Sequence, residues 1–239
     1  MRRSLIALSV LLLLAGVSAA QKRKTDWQHD GLIGRVQRVR EEVAMMRSHS
    51  GTWKEDGRQT VKITGYDKDG NLREEIFGSG PNDVYYSYYY TKQGDRIQSY
   101  NWGIPSEGAF PDRNAIIATV RFKYDADGNR IEEASYKHGS FVGKVTTTYD
   151  STGLKHQQIV YDREGRTIGR SIFGYDEKKS LTLVSDFTSP SALKIKEAYA
   201  YEFDSLGNWI KRTTSKPVPD SKPTRLEPVW VIYRNISYY

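Results

Sequence analysis

Polar and apolar residues alternate along several stretches of the chain in the way that β-strands require. Val120, Phe122 and Tyr124 fall on one face of such a stretch, while Arg121 and Lys123 fall on the other. Because successive side chains of a strand point to opposite faces, this period of two predicts half-buried strands. The pattern indicates an all-β protein.

An aromatic residue followed by Asp, two variable residues and Gly recurs between these stretches. Asp at the start of a turn accepts a hydrogen bond from a backbone N–H two residues on, and Gly takes the left-handed conformation without steric cost. Each copy therefore predicts a tight turn that joins two antiparallel strands. Complete copies occur at Asp67 and Gly70, Asp125 and Gly128, Asp150 and Gly153, Asp162 and Gly165, and Asp204 and Gly207.

Two further copies of the phrase are degraded. Tyr90–Gly94 lacks the Asp, and Tyr175–Lys179 lacks the Gly. A repeat of this kind predicts an antiparallel meander of β-hairpins, which forms a curved, twisted, spiral or barrel-like sheet. The sequence leaves open whether that sheet is open, spiral or closed.

The repeated phrase resembles the YD repeat of the RHS (rearrangement hot spot) and wall-associated protein families. The resemblance covers Thr60 to Thr213, where Tyr-Asp-x-x-Gly-Asn is followed by a strand of alternating polarity. In large members it implies a ribbon of β-hairpins that spirals into a hollow shell. Such shells enclose a toxin segment or display it at the cell surface, and some related repeats bind carbohydrate. This chain has seven irregular copies and no recognisable toxin extension, so hairpin architecture is what the resemblance implies here.

The segments that flank the repeats are expected to add strands to the same sheet. Gly31–Met46 is compatible with a helix or a strand, and we favour a strand that pairs with Gln59–Thr64 through a turn at 55–58. Four of the eight prolines fall in 216–228. This stretch predicts an exposed connection, and residues 229–239 a final strand.

Residues 1–20 have the composition of an export signal. Two arginines precede an apolar run at 5–16, and small residues follow up to the expected cleavage at Ala19 or Ala20. The run is shorter than the roughly 20 residues that a membrane-spanning helix needs. We therefore expect an exported protein of the periplasm or cell surface, with one domain over 21–239 and no membrane span after cleavage.

The amino-acid composition excludes several kinds of functional site. The chain has 239 residues, no cysteine, and 36 Lys and Arg against 29 Asp and Glu, for a net charge of +7. The absence of cysteine excludes disulfides, thiolate metal sites and cysteine nucleophiles. Because the basic and acidic residues are interleaved, no nucleic-acid partner is indicated.

The candidate metal-binding patterns fail on spacing. The turns at Asp67 and Asp125 resemble calcium loops, but an EF-hand register would place residues without carboxylates at the first and twelfth positions. The histidines are far apart in the sequence, at His29, His49, His138 and His156. We expect neither a metal nor a cofactor.

The acidic residues do not suggest an active site. Adjacent pairs occur at Glu41-Glu42, Glu74-Glu75 and Glu132-Glu133. Neighbours on a strand point to opposite faces, so none of the three pairs can by itself place two carboxylates in one cleft as a glycosidase requires. No nucleophile elbow, phosphate loop or zinc motif is present. We expect no enzyme activity.

Tyrosine, with 17 residues, is concentrated at 85–90. Tyr86 and Tyr88 share one face of the predicted strand, and Trp102 follows a short distance on. Exposed aromatic rings can bind sugar rings or protein partners at little cost in entropy. The alternative role for these rings is packing between neighbouring strands, which stabilises the sheet. We take these three residues as the candidate ligand site.

The leading hypothesis is a non-catalytic exported β-repeat protein of the bacterial envelope that binds or scaffolds a glycan or a protein partner. One alternative is an outer-membrane β-barrel, suggested by the many strands and the aromatic C-terminus. Asn235 and Ser237 on the face of Tyr239 speak against a lipid-facing band there. The other alternative is a polysaccharide-acting enzyme with acids assembled from distant strands.

Overall fold

The computed structural model describes the backbone of residues 23–78, 83–102, 116–188, 193–219, 221 and 225–239. The expected signal peptide and the side chain of Trp102 lie outside the described part. One short helix precedes fifteen strands: α1 Asp26–His29, β1 Val36–His49, β2 Thr52–Glu55, β3 Gln59–Tyr66, β4 Leu72–Phe77, β5 Val84–Tyr90, β6 Arg96–Trp102, β7 Ile116–Tyr124, β8 Arg130–Lys137, β9 Ser140–Tyr149, β10 Lys155–Asp162, β11 Thr167–Tyr175, β12 Leu181–Phe187, β13 Leu193–Phe203, β14 Trp209–Pro217 and β15 Leu226–Tyr238.

The sheet is an antiparallel meander that closes into a barrel. From β3 to β15 each strand pairs with the next, and β1 pairs with both β3 and β15. The closing contact runs from Val36 against Tyr238 to Met45 against Trp230. The short strand β2 pairs with the end of β1 outside this cycle, so fourteen of the fifteen strands form the barrel. Closure leaves no free edge among the strands of the cycle.

All seven copies of the repeated phrase form the turn that the sequence predicts. In each, the first residue of the turn receives a hydrogen bond from the N–H three residues on and donates its own N–H to the carbonyl four residues on. Six of these turns join strands β3 to β4, β5 to β6, and so on to β13 and β14. Strands alternate in direction, so these six turns share one end of the barrel, which we call the plug end. The turn at Asp162 lies one strand out of step, at the opposite end.

Side chains alternate between the lumen and the outside of the barrel. Phe122 faces the lumen, where its ring contacts Arg96 and Arg130. The flanking Arg121 and Lys123 point outward, with side chains 59% and 70% exposed. The sequence pattern of this strand is therefore confirmed, but the face with the aromatic residues encloses a partly polar lumen instead of a dry core.

A plug formed by residues 24–33 lies in the lumen at the plug end. It contains α1, whose start is capped by Thr25 and Gln28 in a reciprocal capping box. Trp27 packs edge-on against Tyr66 with ring centroids 6.5 Å apart. The cluster of buried apolar residues continues from Trp27 through Leu32 and Val36 of the plug and β1, so the main apolar core joins the plug to the barrel wall.

The flanking segments differ in detail from expectation. Gly31–Met46 does supply a strand that pairs with β3, but β1 reverses at 50–51 instead of 55–58. Ser50 and Gly51 both have positive φ, at 52° and 81°, which is the geometry of a tight hairpin turn. The final strand begins at Leu226, not at 229, because the sheet bulges opposite Pro228 and so tolerates its missing N–H.

Within the described part of the chain, no helix is long and apolar enough to span a membrane.

Candidate functional site

The aromatic residue that opens each plug-end turn points into the lumen. Together these residues form a ring that we call the collar. On one side of the barrel the collar holds the plug, and on the other side it lines an open chamber. The members are Tyr66, Tyr90, Tyr124, Tyr149, Tyr175 and Phe203.

Asp26 fixes the plug to the barrel wall. Its carboxylate accepts hydrogen bonds from the Leu72 N–H at 2.6 Å, from the Tyr90 hydroxyl and from the Arg130 guanidinium. Asp26 is 3% exposed and the Arg130 side chain 9%. Burial alone would raise the pKa of Asp26, but the Arg130 charge and the hydrogen bonds together hold it below the usual value. The plug therefore carries a buried, ionised anchor.

His29, the last residue of α1, and Asp30, which caps the helix, face the lumen. Asp30 accepts a hydrogen bond from the Tyr66 hydroxyl at 2.6 Å. Loss of water around its carboxyl raises the pKa of Asp30, although the residue as a whole is partly exposed to the lumen. Burial and the nearby Arg130 lower the pKa of His29 to about 3, so its imidazole is neutral. Both residues line the two cavities that the plug separates.

The first of these cavities has a volume of about 400 Å³ and is rich in charge. Three of its carboxylates belong to the barrel wall and are held by neighbouring cations: Glu75 by Lys62, Glu41 by Arg234 at 2.8 Å, and Glu133 by Arg96 at 4.0 Å. Their sequence neighbours Glu42, Glu74 and Glu132 pair with cations on the outer face. Each adjacent acidic pair is thus split across the sheet as the sequence predicts, and one acid from each of three distant strands lines the same cavity.

The second cavity, of about 580 Å³, is the aromatic chamber. It lies between the plug and the hairpins β9–β10, β11–β12 and β13–β14. Tyr201 lies in its wall between two other aromatic residues, with its ring centroid 5.8 Å from that of Phe203 and 5.9 Å from that of Trp209. Phe203 is 47% exposed, so one of these rings offers an open face to a ligand. Burial raises the pKa of Tyr149 and Tyr175 to about 12, so both hydroxyls stay protonated.

Cations dominate the charge of the aromatic chamber. Arg212 and Arg234 stack on Trp209, with guanidinium carbons 5.1 and 3.5 Å from the ring centroid. Arg234 is neutralised by Glu41, whereas Arg212 forms no ion pair with any described carboxylate. Asp30 is the one carboxylate among the described residues of the lining. Four lysines also line the chamber without a described acidic partner: Lys24, Lys155, Lys178 and Lys179.

Lys179 occupies a strained position at the rim of this chamber. It stands where the other turns have glycine, and it adopts the same left-handed backbone with φ of 64°. Its N–H still donates to the Asp176 carbonyl at 3.0 Å, so the turn keeps its geometry. A left-handed conformation costs a non-glycine residue roughly 1–2 kcal/mol. Such strain is commonly found at functional sites.

Two of the three candidate ligand residues, Tyr86 and Tyr88, lie elsewhere in the lumen. Tyr88 is 6% exposed and donates its hydroxyl to Glu75 at 2.5 Å, while Tyr86 is half-buried and packs against Phe77. Neither residue lines the aromatic chamber, and the side chain of Trp102 is outside the described part. A binding role for these three residues stays a prediction.

The turn residues are occupied by backbone contacts. At Asp67, one carboxylate oxygen accepts from the N–H groups of Asp69 and Asn71, both at 2.9 Å, and the same pattern recurs at Asp125, Asp150, Asp162 and Asp204. Among the residues described, no group of three or more His, Asp or Glu side chains is arranged to hold a metal ion.

The chamber residues Lys155, Lys179 and Arg212 were not expected from the sequence. A partial signal was present, because Tyr149, Tyr175 and Phe203 are the aromatic members of the repeated phrase. The phrase fixes their position beside a turn. It does not reveal that three such turns from different hairpins lie side by side around one cavity.

No family model matches the chain, and no protein of curated function matches it in sequence. Among solved structures it is similar to a porin-like protein from Bacteroides uniformis, at 9% identity and a TM-score of 0.49, covering 86% of this chain and 99% of that one. It is also similar to a DUF1329 family protein from Desulfovibrio piger, at 12% identity and a TM-score of 0.26, covering 88% of this chain and 89% of that one.

Proposed function

We propose that the protein is an exported, water-soluble β-barrel of the bacterial envelope that binds an anionic ligand in its aromatic chamber without chemical conversion. The observation that carries this proposal is the set of unpaired cations that face an aromatic wall. A chamber of this volume is within the usual range for small-molecule sites. The wall carboxylates Glu41, Glu75 and Glu133 of the first cavity are engaged by cations, which favours binding over acid–base catalysis by these three residues.

The outer surface supports water solubility. Ion pairs on this surface follow one another around the barrel, including Arg38 with Glu74, Lys123 with Glu132 and Lys211 with Glu202. A barrel in the outer membrane presents an apolar band about 25 Å tall to the lipid, and charged side chains within that band are destabilising. The charged outer face favours an aqueous environment.

A second candidate function is that of an outer-membrane barrel, which the topology favours. Six tight turns, the start of β1 and the end of β15 share the plug end, whereas β6 ends and β7 begins at the opposite end with a longer stretch of sequence between them. Bacterial outer-membrane barrels have the same division into short turns and longer loops, with an even number of strands.

Solubility separates the two candidates, and a dye titration tests the binding site. We expect the mature chain, residues 21–239, to remain monodisperse without detergent and to bind the anionic aromatic dye anilinonaphthalene sulfonate. Arg212→Gln and Lys155→Gln should weaken that binding, whereas the outward-facing Arg121→Gln should not. Aggregation that only detergent reverses would favour the membrane barrel. Equal dye binding by all variants would remove the chamber as the site.

Kinship with the YD-repeat proteins is part of the proposal. It is supported by the seven turns that share one hydrogen-bond pattern, and by the recurring aromatic residue before each turn.

A further inference from the structure

We infer that the ligand of the aromatic chamber is an acidic oligosaccharide, a chain of sugar rings that carry carboxylate groups. This inference rests on the proposed function and specifies its ligand class. It is based on three properties of the chamber: the shape of its aromatic surface, the kind of polar groups beside that surface, and the position of its unpaired cations.

The aromatic surface suits a ring with an apolar face. Phe203 is open to the chamber and continues into Tyr201, so two rings form a platform with centroids 5.8 Å apart. The C–H face of a pyranose ring packs on such a surface, since aromatic side chains provide large contact area with little loss of entropy. Trp209 is less available, because the two arginines already cover it.

The remaining lining is rich in hydrogen-bonding groups. Tyrosine hydroxyls, the Asn129 amide and the Gln28 amide contribute donors and acceptors, while Ile33, Leu154 and Leu181 are the aliphatic side chains of the described lining. Part of this lining is engaged within the protein, since Asn129 binds Asp125 and Lys24, and the Tyr149 hydroxyl donates to the Arg130 carbonyl. Arg212 and the lysines of the chamber have no described acidic partner, and a fatty acyl chain would remove water from their charges without supplying hydrogen bonds, which costs free energy. A sugar ring with several hydroxyls can hydrogen-bond to these cations. The lining therefore discriminates against anionic lipids.

The cations explain why the sugar should be acidic. Arg212 is held in place by Trp209 on one side and by the Tyr199 ring, 5.0 Å away, on another. A guanidinium that is fixed in this way binds a carboxylate with little further ordering. Lys155 and Lys179 line the same space from neighbouring hairpins, so more than one carboxylate along a chain can be neutralised.

A competition experiment on the mature chain tests the ligand class. With anilinonaphthalene sulfonate bound, we would add trigalacturonate, its methyl ester, and dodecanoate. The ester has the same rings without the charge, and dodecanoate has the charge without the rings. We expect trigalacturonate to displace the dye at concentrations about tenfold lower than either control, because charge-assisted hydrogen bonds are lost in the ester and ring contacts in dodecanoate.

Variants locate the effect in the chamber. Arg212→Gln should reduce trigalacturonate affinity about tenfold, and Arg212→Lys should restore part of it while Trp fluorescence reports that the fold is intact. Displacement by dodecanoate but not by trigalacturonate would overturn the acidic-sugar assignment and leave anion binding in place. Equal displacement by trigalacturonate and its ester would overturn the role of the cations. Failure of the dye itself to bind would contradict the proposed function.

Discussion

Replacement of Asp26 by alanine should release the plug from the barrel wall. The change removes the acceptor of three hydrogen bonds, from Leu72, Tyr90 and Arg130. It also leaves the Arg130 guanidinium, with 9% of its side chain exposed, without its carboxylate. Loss of one partner of a buried ion pair is strongly destabilising, because the remaining charge stays buried without compensation.

The expected cost follows from that burial. Removing one member of a buried pair costs about 3–5 kcal/mol. Asp26→Asn keeps a hydrogen-bond acceptor and loses only the charge, so about 1.5–3 kcal/mol is expected, the range for hydrogen bonds to charged groups. A matched control is Asp56→Ala, which removes the partner of Arg47 on the surface, where the two side chains are 68% and 39% exposed. An exposed pair contributes about 0–1 kcal/mol.

Hydrogen exchange measures this effect at the plug itself. The amides of His29, Asp30 and Leu32 donate to carbonyls within the plug at 3.0, 2.9 and 2.8 Å. Their protection should fall by about a hundredfold or more in Asp26→Ala, up to the limit set by complete undocking. Urea unfolding should show a lower midpoint with an unchanged slope.

A double-mutant cycle provides the refuting result. In a background of Arg130→Met the buried guanidinium charge is absent. Asp26→Ala should then lower the free energy of unfolding by at least about 1 kcal/mol less than it does in the wild type. Equal costs in both backgrounds would show that the two side chains do not interact. Unchanged exchange at residues 26–32 would show that Asp26 does not anchor the plug.

Three further results are expected. His29 has a pKa of about 3 in the folded protein and near 6.5 in the unfolded chain, so between these pH values only the unfolded chain binds a proton at His29. The free energy of unfolding should therefore fall as the pH decreases from about 6.5 towards 3. His29→Asn should reduce this dependence on pH, which urea titrations at several pH values would measure. Lys179→Gly should raise the free energy of unfolding by about 0.5–1 kcal/mol through relief of strain, and should weaken binding of the anionic dye. Gly70→Ala and Gly153→Ala both place alanine in a left-handed conformation, which is unfavourable for it. A Cβ at Gly70 would also lie 2.7 Å from the Thr25 Cβ of the plug, whereas Gly153 faces open space. Thermal denaturation should therefore show Gly70→Ala to be less stable than Gly153→Ala by at least about 1 kcal/mol.

The local features of this fold could be predicted because their causes are local. The carboxylate of Asp67 bonds to N–H groups two and four residues on, so the turn is specified within five residues. The division of Glu74 and Glu75 between the two faces follows from the period of a strand alone. Even Tyr175–Lys179 forms the turn without its glycine, since the Asp carboxylate makes the same two bonds.

The closure and the lumen could not be predicted, because they depend on contacts between distant residues. The pairing of Val39 with Ile236 joins opposite ends of the chain, and no local pattern specifies it. The plug contains a single four-residue helix, which is too short for hydrophobic periodicity to reveal. Its anchor combines Asp26 with Arg130, two residues whose types predict exposure. Arg212 enters the chamber only because three hairpins surround the same space.

A crystal structure of the mature chain with bound trigalacturonate would test the central claim most directly. We expect density in the aromatic chamber, with a sugar ring on Phe203 and Tyr201 and a carboxylate within hydrogen-bond distance of Arg212. Density on the outer face of the barrel, or in the charged cavity on the other side of the plug, would contradict the assignment of the chamber as the binding site.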